Sequence, residues 1–339
     1  MTNMVFYNSI NQVDKEKWVG FYKSHKLGNV YQTFEMFEFW KNLKNYIPFI
    51  FLLESDSQEC LAFCTGVIVP KGKSKTKNPD KSAIIYGGPL IKDDNNEIFD
   101  FFIKKSWKYL KFKSKYIEFR NFGSDLNFKQ GFIKNKWKYT PKLNYIIDLT
   151  SEEEVFNKFG TSRRKQIRKS LREGVEISYE KSNENIKGVY DILLNIFKTN
   201  DKVMALPIPD LEFLSDLLLL KGSGIATVKF NNNIIGGGFF LYDDKIIYNW
   251  FRGGLNRDYN KQSPDAVVDW AIMKFGIENN ISLFDFGGAG TKGWDNRLRT
   301  YKSRFGGELI ENGMYSRINF PLLFRIENKL SRILNKTNP

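Results

Sequence analysis

The chain has 339 residues, 42% of them hydrophobic, with a formal net charge of +14 and a single histidine, His25. That is ample apolar material for a large core and more chain than one domain commonly holds, so two domains are expected. One histidine excludes a multi-histidine metal site and leaves any serine or cysteine nucleophile only one imidazole base, while the cationic excess favours a polyanionic partner.

Lysine-rich composition alone gives a similar excess, so charge does not settle function. Cys60 and Cys64, four apart in a strand-like run, read as buried, unbridged thiols of a reducing compartment. The sequence carries no leader-like pattern and no apolar run near ~18 residues. A cytoplasmic protein is expected, with peripheral contact at the inner membrane face left open.

The chain opens with a short strand and a helix begun at Asp14, with His25 at its polar end. Met36, Phe39, Trp40 and Leu43 have helical spacing, and Lys41 lies on the flank. Strands are predicted over 49–53, 61–69 and 83–86, the last two joined by a lysine-rich loop. An amphipathic helix over 97–111 follows, then a strand over 115–122 and a strand pair within 131–149. The acidic pairs Asp93-Asp94 and Asp243-Asp244 read as turns rather than metal sites.

At Thr150 the composition changes. An acidic helical turn leads into a helix bearing Arg163, Arg164, Lys165, Arg168, Lys169 and Arg172, ended by Gly174. Six cations in ten residues are too broad for one face, so this helix reads either as a polyanion contact or as a solvated basic helix. A helical region over 185–220, broken by Pro207 and Pro209, precedes strands over 225–230, 234–241 and 245–252. Gly236, Gly237 and Gly238 suggest a bulge or a close backbone approach. Ser263 and Pro264 open the next helix.

The stretch from Ile281 to Ile310 joins a buried strand, a glycine corner (Gly287, Gly288, Gly290) and the run Tyr301-Lys302-Ser303-Arg304-Phe305. Cations beside rings suit an anionic or planar substrate; strand, turn and strand of an ordinary core is the plainer reading. The segments ending KYIEFRNFG and ISLFDFGG share one order of elements, which is the strand, strand, helix, strand order of an acetyltransferase-like unit used twice.

With SRRKQIRKSLREGVEI at 162–177, YNWFRGGL to FDFGGAG, and TYKSRFGGELIE at 300–311 in place, the chain resembles the FemA/FemB/FemX group of peptidyltransferases over nearly its whole length. The resemblance implies an α+β fold of two tandem acetyltransferase-like (GNAT-type) domains, each a mixed sheet flanked by helices. The first would span 1–150, with a C-terminal helix over 316–339 packing back on it, and the second 151–315, carrying the substrate cleft.

It implies amide formation on a peptidoglycan or other cell-envelope precursor, UDP- or lipid-linked, with aminoacyl-tRNA as donor and neither cofactor nor metal. Lys302 would stabilise developing charge. Tyr301, Arg304, Tyr248, Trp250 and Arg252 would contact substrate, as would Trp40 and Lys41 in the first domain. Phe213 stands alone where an arginine and aromatic pair would hold the precursor. Arg163, Arg164, Lys165, Arg168, Lys169 and Arg172 are assigned to tRNA. The alternative is an acyl-CoA-dependent N-acyltransferase acting on an amino sugar, with the glycine-bearing loop 252–264 as the weak candidate for a pyrophosphate cradle.

Overall fold

The computed structural model describes residues 4–70, 81–122, 127–199, 210–291 and 297–320. Two compact units emerge, one of Met1–Pro141 and Asn312–Pro339 and the other of Lys142–Glu311. The expected proline break at Pro207 and Pro209, most of the lysine-rich loop and the end of the strand at Gly123 lie outside the described residues.

The first unit contains β1 (Met4–Tyr7), α1 (Lys15–Ser24), α2 (Phe34–Asn42), β2 (Ile47–Ser55), β3 (Cys60–Pro70) and β4 (Lys81–Tyr86). There follow β5 (Leu90–Ile91), α3 (Asn96–Leu110), β6 (Tyr116–Arg120) and α4 (Lys129–Lys134). Asp14 caps α1 by accepting from the backbone N–H groups of Glu16 and Lys17, which satisfies donors the first helical turn leaves free. The core gathers Phe51, Phe99, Phe102, Phe119, Phe132 and Trp137. Cys64 is buried and Cys60 partly so, both as free thiols.

One predicted element of this unit differs. Residues 131–134 belong to a helix, not to a strand of a pair, because Phe128 and Phe132 sit four apart and both close on Phe99, at ring distances of 4.5 and 4.9 Å. That spacing puts both rings on one helical face. The strand that follows is long, β7 (Lys138–Asp148).

The second unit continues with α5 (Glu152–Lys158), α6 (Thr161–Arg172), β8 (Glu176–Ser178), α7 (Asn183–Thr199) and α8 (Leu211–Leu217). Then come β9 (Ser223–Phe230), β10 (Asn233–Tyr242), β11 (Ile246–Gly254), α9 (Pro264–Glu278), β12 (Leu283–Gly288), α10 (Arg297–Ser303) and the start of β13 (Glu308–Ile318), whose residues from Asn312 onward belong to the first unit. Tyr301 and Lys302 therefore lie on a helix where the sequence offered only a turn and a second apolar run. At the chain's far end, Ser316, Arg317 and Ile318 are strand, and residues 321–339 of the expected C-terminal helix lie outside the described residues.

Within the first unit the strand order is β1-β2-β3-β4-β6-β13, and within the second it is β7-β12-β11-β10-β9-β8. The repeat is visible in the pairing. β4 and β6 are parallel neighbours joined through α3, and β11 and β12 are parallel neighbours joined through α9. Parallel neighbours need such a crossover, which accounts for the strand, helix, strand order in both halves.

Helix α9 is apolar nearly all round, burying Val267, Val268, Trp270, Ala271, Ile272 and Met273, as a helix enclosed by sheet and helices must. The triple glycine of β10 does both things expected of it. The β9–β10 register shifts between Ile234 and Gly236. A Cβ on Gly237 would lie 2.2 Å from Val189 of α7 and 2.8 Å from the carbonyl of Ala226, so only glycine lets that helix sit so close.

Candidate active site

The site of interest forms where β11 and β12 part. Their ladder runs through Ile246–Leu283, Ile247–Phe284 and Tyr248–Asp285 and goes no further. Beyond it, β11 carries a bulge: Phe239 of β10 pairs with Phe251 and Phe240 with Asn249, leaving Trp250 as the extra residue. A bulge resets the alternation of side chains. Strict alternation would put Trp250 and Arg252 on one face; instead Arg252 joins Asn249 facing α9, and Trp250 meets Phe213 of α8 at 5.9 Å.

Asp269 collects that face. It is fully buried in the middle of α9, and its Oδ1 accepts from Arg252 Nε at 2.9 Å and from Asn249 Nδ2 at 3.0 Å. Its Oδ2 accepts from the Tyr301 hydroxyl at 2.6 Å. A buried carboxylate is tolerable only with partners of this kind. Burial raises the Asp269 pKa, while Arg252 and the Tyr301 hydrogen bond pull it back. Burial also raises the Tyr301 pKa, with the Asp269 charge adding to the rise.

Arg252 bridges onward to Asp265 at 3.3 Å, one turn earlier on α9. The guanidiniums of Arg163 and Arg252 lie 4.5 and 5.0 Å from the centre of the Tyr301 ring, and Arg163 lies 4.5 Å from Phe305 as well. Arg163 is 4% exposed. Its Nη1 donates to Gln166 at 3.0 Å, and its Nε has no partner among the described residues.

Lys302 holds the glycine corner. Its Nζ donates to the carbonyls of Phe286 at 2.6 Å, Gly287 at 3.0 Å and Gly288 at 3.0 Å. An ammonium has three protons, so all three are committed. Arg299, on the same helix, donates to the carbonyls of Ala289 and Thr291. Gly287 and Gly290 have φ of +71° and +85°, a conformation that excludes most side chains. Asp285 accepts from Asn144 Nδ2 and from the N–H of Gly287, both at 2.7 Å.

The electrostatics follow from burial. Lys302 is pushed down to about 7, first by desolvation and then by Arg252, against the pull of Asp269 and Asp285. Desolvation raises Asp285, against its hydrogen bonds from Asn144 and Gly287. Arg252 moves the other way: desolvation lowers its pKa, but Asp269, Tyr301 and Asp265 together raise it further.

The sequence-assigned residues separate accordingly. Lys302, Tyr301 and Arg252 come together, with Arg304 exposed just beyond. Tyr248 is 3% exposed, at the end of the ladder. Arg163 belongs to this cluster and not to a solvent-facing basic surface, because Arg163, Ile167 and Ser170 form the buried face of α6. Ser170 fixes that face by donating to the Gln262 carbonyl at 2.7 Å. Arg164, Lys165, Arg168, Lys169 and Arg172 remain on the outer side. In the first unit Trp40 is buried and stacks on Tyr46 at 5.5 Å, while Lys41 is exposed and pairs with Glu38.

Asp269, Asp285, Asn249 and Asn144 were missed. Asp269 had a signal: it is the one charge within the apolar run AVVDWAIM, and a charge inside an enclosed helix has to be paired. The N-terminus of α9 disfavours a pyrophosphate. It already carries Asp265, whose N–H is held by Asn256 Oδ1 at 3.3 Å and whose carboxylate Asn256 also contacts.

This arrangement can be set beside known proteins. Residues 161–303 match the acetyltransferase (GNAT) domain family. The crystal structure of FemX superposes with a TM-score of 0.73 at 14% identity, covering 94% of this chain and 99% of that one. The fold is FemX-like. A tandem GNAT protein from the clavulanic acid biosynthesis pathway, solved without AcCoA, gives 0.58 at 6% identity over 94% and 99% of the two chains. L-PGS from Bacillus licheniformis gives 0.55 at 13% identity over 94% and 96%. No curated protein sequence matches the chain. The FemX-like fold is α+β with two tandem acetyltransferase-like units, and the cluster around Lys302 lies within the second.

Proposed function

We propose that the chain is an acyltransferase that joins an activated aminoacyl group, carried on tRNA, to an amine of a cell-envelope precursor. The observation that carries this reading is the buried Lys302 ammonium on the glycine corner beside the parted strands, in a fold shared with FemX. In ester aminolysis the amine nitrogen attacks the acyl carbon, negative charge gathers on the carbonyl oxygen, the carbon to ribose-oxygen bond breaks, and the leaving oxygen takes up a proton. A cation fixed near that oxygen stabilises the transition state. The oxygen reaches Lys302 by displacing one carbonyl, and Gly288, the exposed residue of the three, offers the easiest exchange.

Positioning supplies much of the remaining rate, since aminoacyl esters are already reactive. Asp269 fixes Tyr301, Asn249 and Arg252 as one network. The outer face of α6 would meet the tRNA backbone, and Trp250 with Phe213 would offer an aromatic edge to the acceptor.

A second reading, N-acyl transfer from acyl-CoA to an amino sugar, is favoured by the match of residues 161–303 to an acetyltransferase domain. The occupied, acidic N-terminus of α9 weighs against it. Filter retention of charged tRNA beside calorimetry with acetyl-CoA separates the two. Salt-sensitive tRNA binding without heat from acetyl-CoA supports the first, and the reverse pattern supports the second.

A further inference from the structure

A second cationic surface lies in the first unit, independent of the reading given to Lys302. Lys111, Lys136, Lys138 and Arg317 line a groove of about 550 Å³ that also includes Trp107 and Phe320 and has no carboxylate among the described residues of its lining. Arg317 is fixed, with its guanidinium 3.9 Å from the centre of the Trp107 ring and its Nη1 donating to the Asn135 carbonyl at 2.8 Å. Trp107 Nε1 donates to Asn319 at 3.1 Å. Around the groove, apolar side chains project into solvent: Phe112 is 74% exposed, Phe320 46% and Ile318 39%. The Phe112 and Phe320 rings lie 5.8 Å apart, and Lys111 lies 4.5 Å from the centre of Phe112.

We propose that this groove docks the protein on an anionic phospholipid surface. The four cations meet lipid phosphates and the Phe112, Phe320 and Ile318 side chains enter the headgroup layer, the division of labour of interfacial segments. Charge selects this occupant over the chain's own end. Residues 321–339 carry two arginines and two lysines against one glutamate, so they share the groove's sign. Nucleic acid fits less well, because one face of Trp107 is covered by Arg317, Phe112 projects beyond the groove instead of lining it, and the Phe320 ring packs against Phe112 at 5.8 Å. None of the three stands as a free base-stacking platform within the cationic track.

Co-sedimentation of the full chain with phosphatidylcholine vesicles, with and without phosphatidylglycerol, tests the proposal without requiring catalysis. Binding is expected only with phosphatidylglycerol, weakening as salt rises. Each cation at such a surface is worth about fivefold in partition, so Lys136→Gln with Lys138→Gln should weaken binding tenfold or more. Both side chains are exposed, and the fold of the variant is checked by circular dichroism. Phe112→Ser should weaken binding severalfold at unchanged salt dependence. Equal sedimentation with both vesicle types would overturn the proposal. So would an unchanged double variant, the result expected if the chain's own end or a second copy covers the groove. A double variant that loses tRNA affinity while keeping vesicle binding would assign the surface to RNA instead.

Discussion

Tyr301 donates its hydroxyl proton to Asp269 over 2.6 Å, and this single bond ties α10, which carries Lys302, to the carboxylate buried at the centre of α9. The same carboxylate receives Arg252 and Asn249 from β11, so three elements meet on one acid. Removing the acid's charge leaves Asp265 as the one carboxylate beside the buried guanidinium among the described residues, whereas removing the hydroxyl leaves the ion pair intact. Asp269→Asn should therefore cost about 3–5 kcal/mol of stability and Tyr301→Phe about 1.5–3 kcal/mol. Urea midpoints of both variants and of the double variant measure this. Additive effects would show that the two groups do not act through each other.

Lys302 gives two pH signatures. Its pKa falls from 10.5 to about 7 in the folded chain, so between those values the unfolded chain holds a proton that the folded one has released. Stability therefore rises with pH in that window. Relative to Lys302→Met, the wild type should gain a few kcal/mol between pH 7 and 10, at about 1.4 kcal/mol per unit of depression. A constant difference would contradict the depressed pKa.

The second signature is kinetic. If the ammonium is the active form, kcat/KM of the wild type falls as pH rises through about 7, opposed by the limb that frees the attacking amine. Lys302→Arg, which stays charged, should lack the falling limb. A limb rising through the same pH and lost in Lys302→Met would instead make the neutral amine a base.

Much of the fold was legible because periodicity and punctuation carried it. Asp14, Gly174 and Pro264 marked helix ends correctly, and the repeat placed two strand, helix, strand crossovers. The site was less legible for a reason visible at Trp250. A bulge cannot be read from alternation, and without it Asn249 and Arg252 belong to opposite faces. The helix carrying Tyr301 and Lys302 was hidden for another reason: at seven residues, with cations on several sides, it has no clean apolar stripe. Arg163 looked like its neighbours in composition, and only packing on Tyr301 and Phe305 separates it from them.

That separation is testable. Arg164→Gln, Lys165→Gln and Arg168→Gln together should weaken tRNA binding and reduce the slope of log affinity against log salt by about two units, near 0.7–0.9 for each phosphate that is no longer neutralised. Arg163→Gln should leave that slope unchanged while lowering transfer. A salt slope that changes with Arg163 alone would return it to the outer surface.

The glycines give a structural control. Gly237→Ala would place a methyl 2.2 Å from Val189 and 2.8 Å from a backbone oxygen, and should cost about 1–3 kcal/mol by overpacking. Gly288→Ala meets nothing within 4 Å, so its melting temperature should stay within about a degree or two of wild type. A tolerated Gly237→Ala would show that α7 can withdraw from the sheet.

Transfer is measured most directly by incubating the purified chain with tRNA charged with radiolabelled amino acids and a lysine-containing, UDP-linked muropeptide, and counting the label that reaches the muropeptide. Wild type should form an alkali-stable amide product, and Lys302→Met should form it about 100-fold more slowly. Transfer from acetyl-CoA but not from charged tRNA, or undiminished transfer by Lys302→Met, would contradict the account.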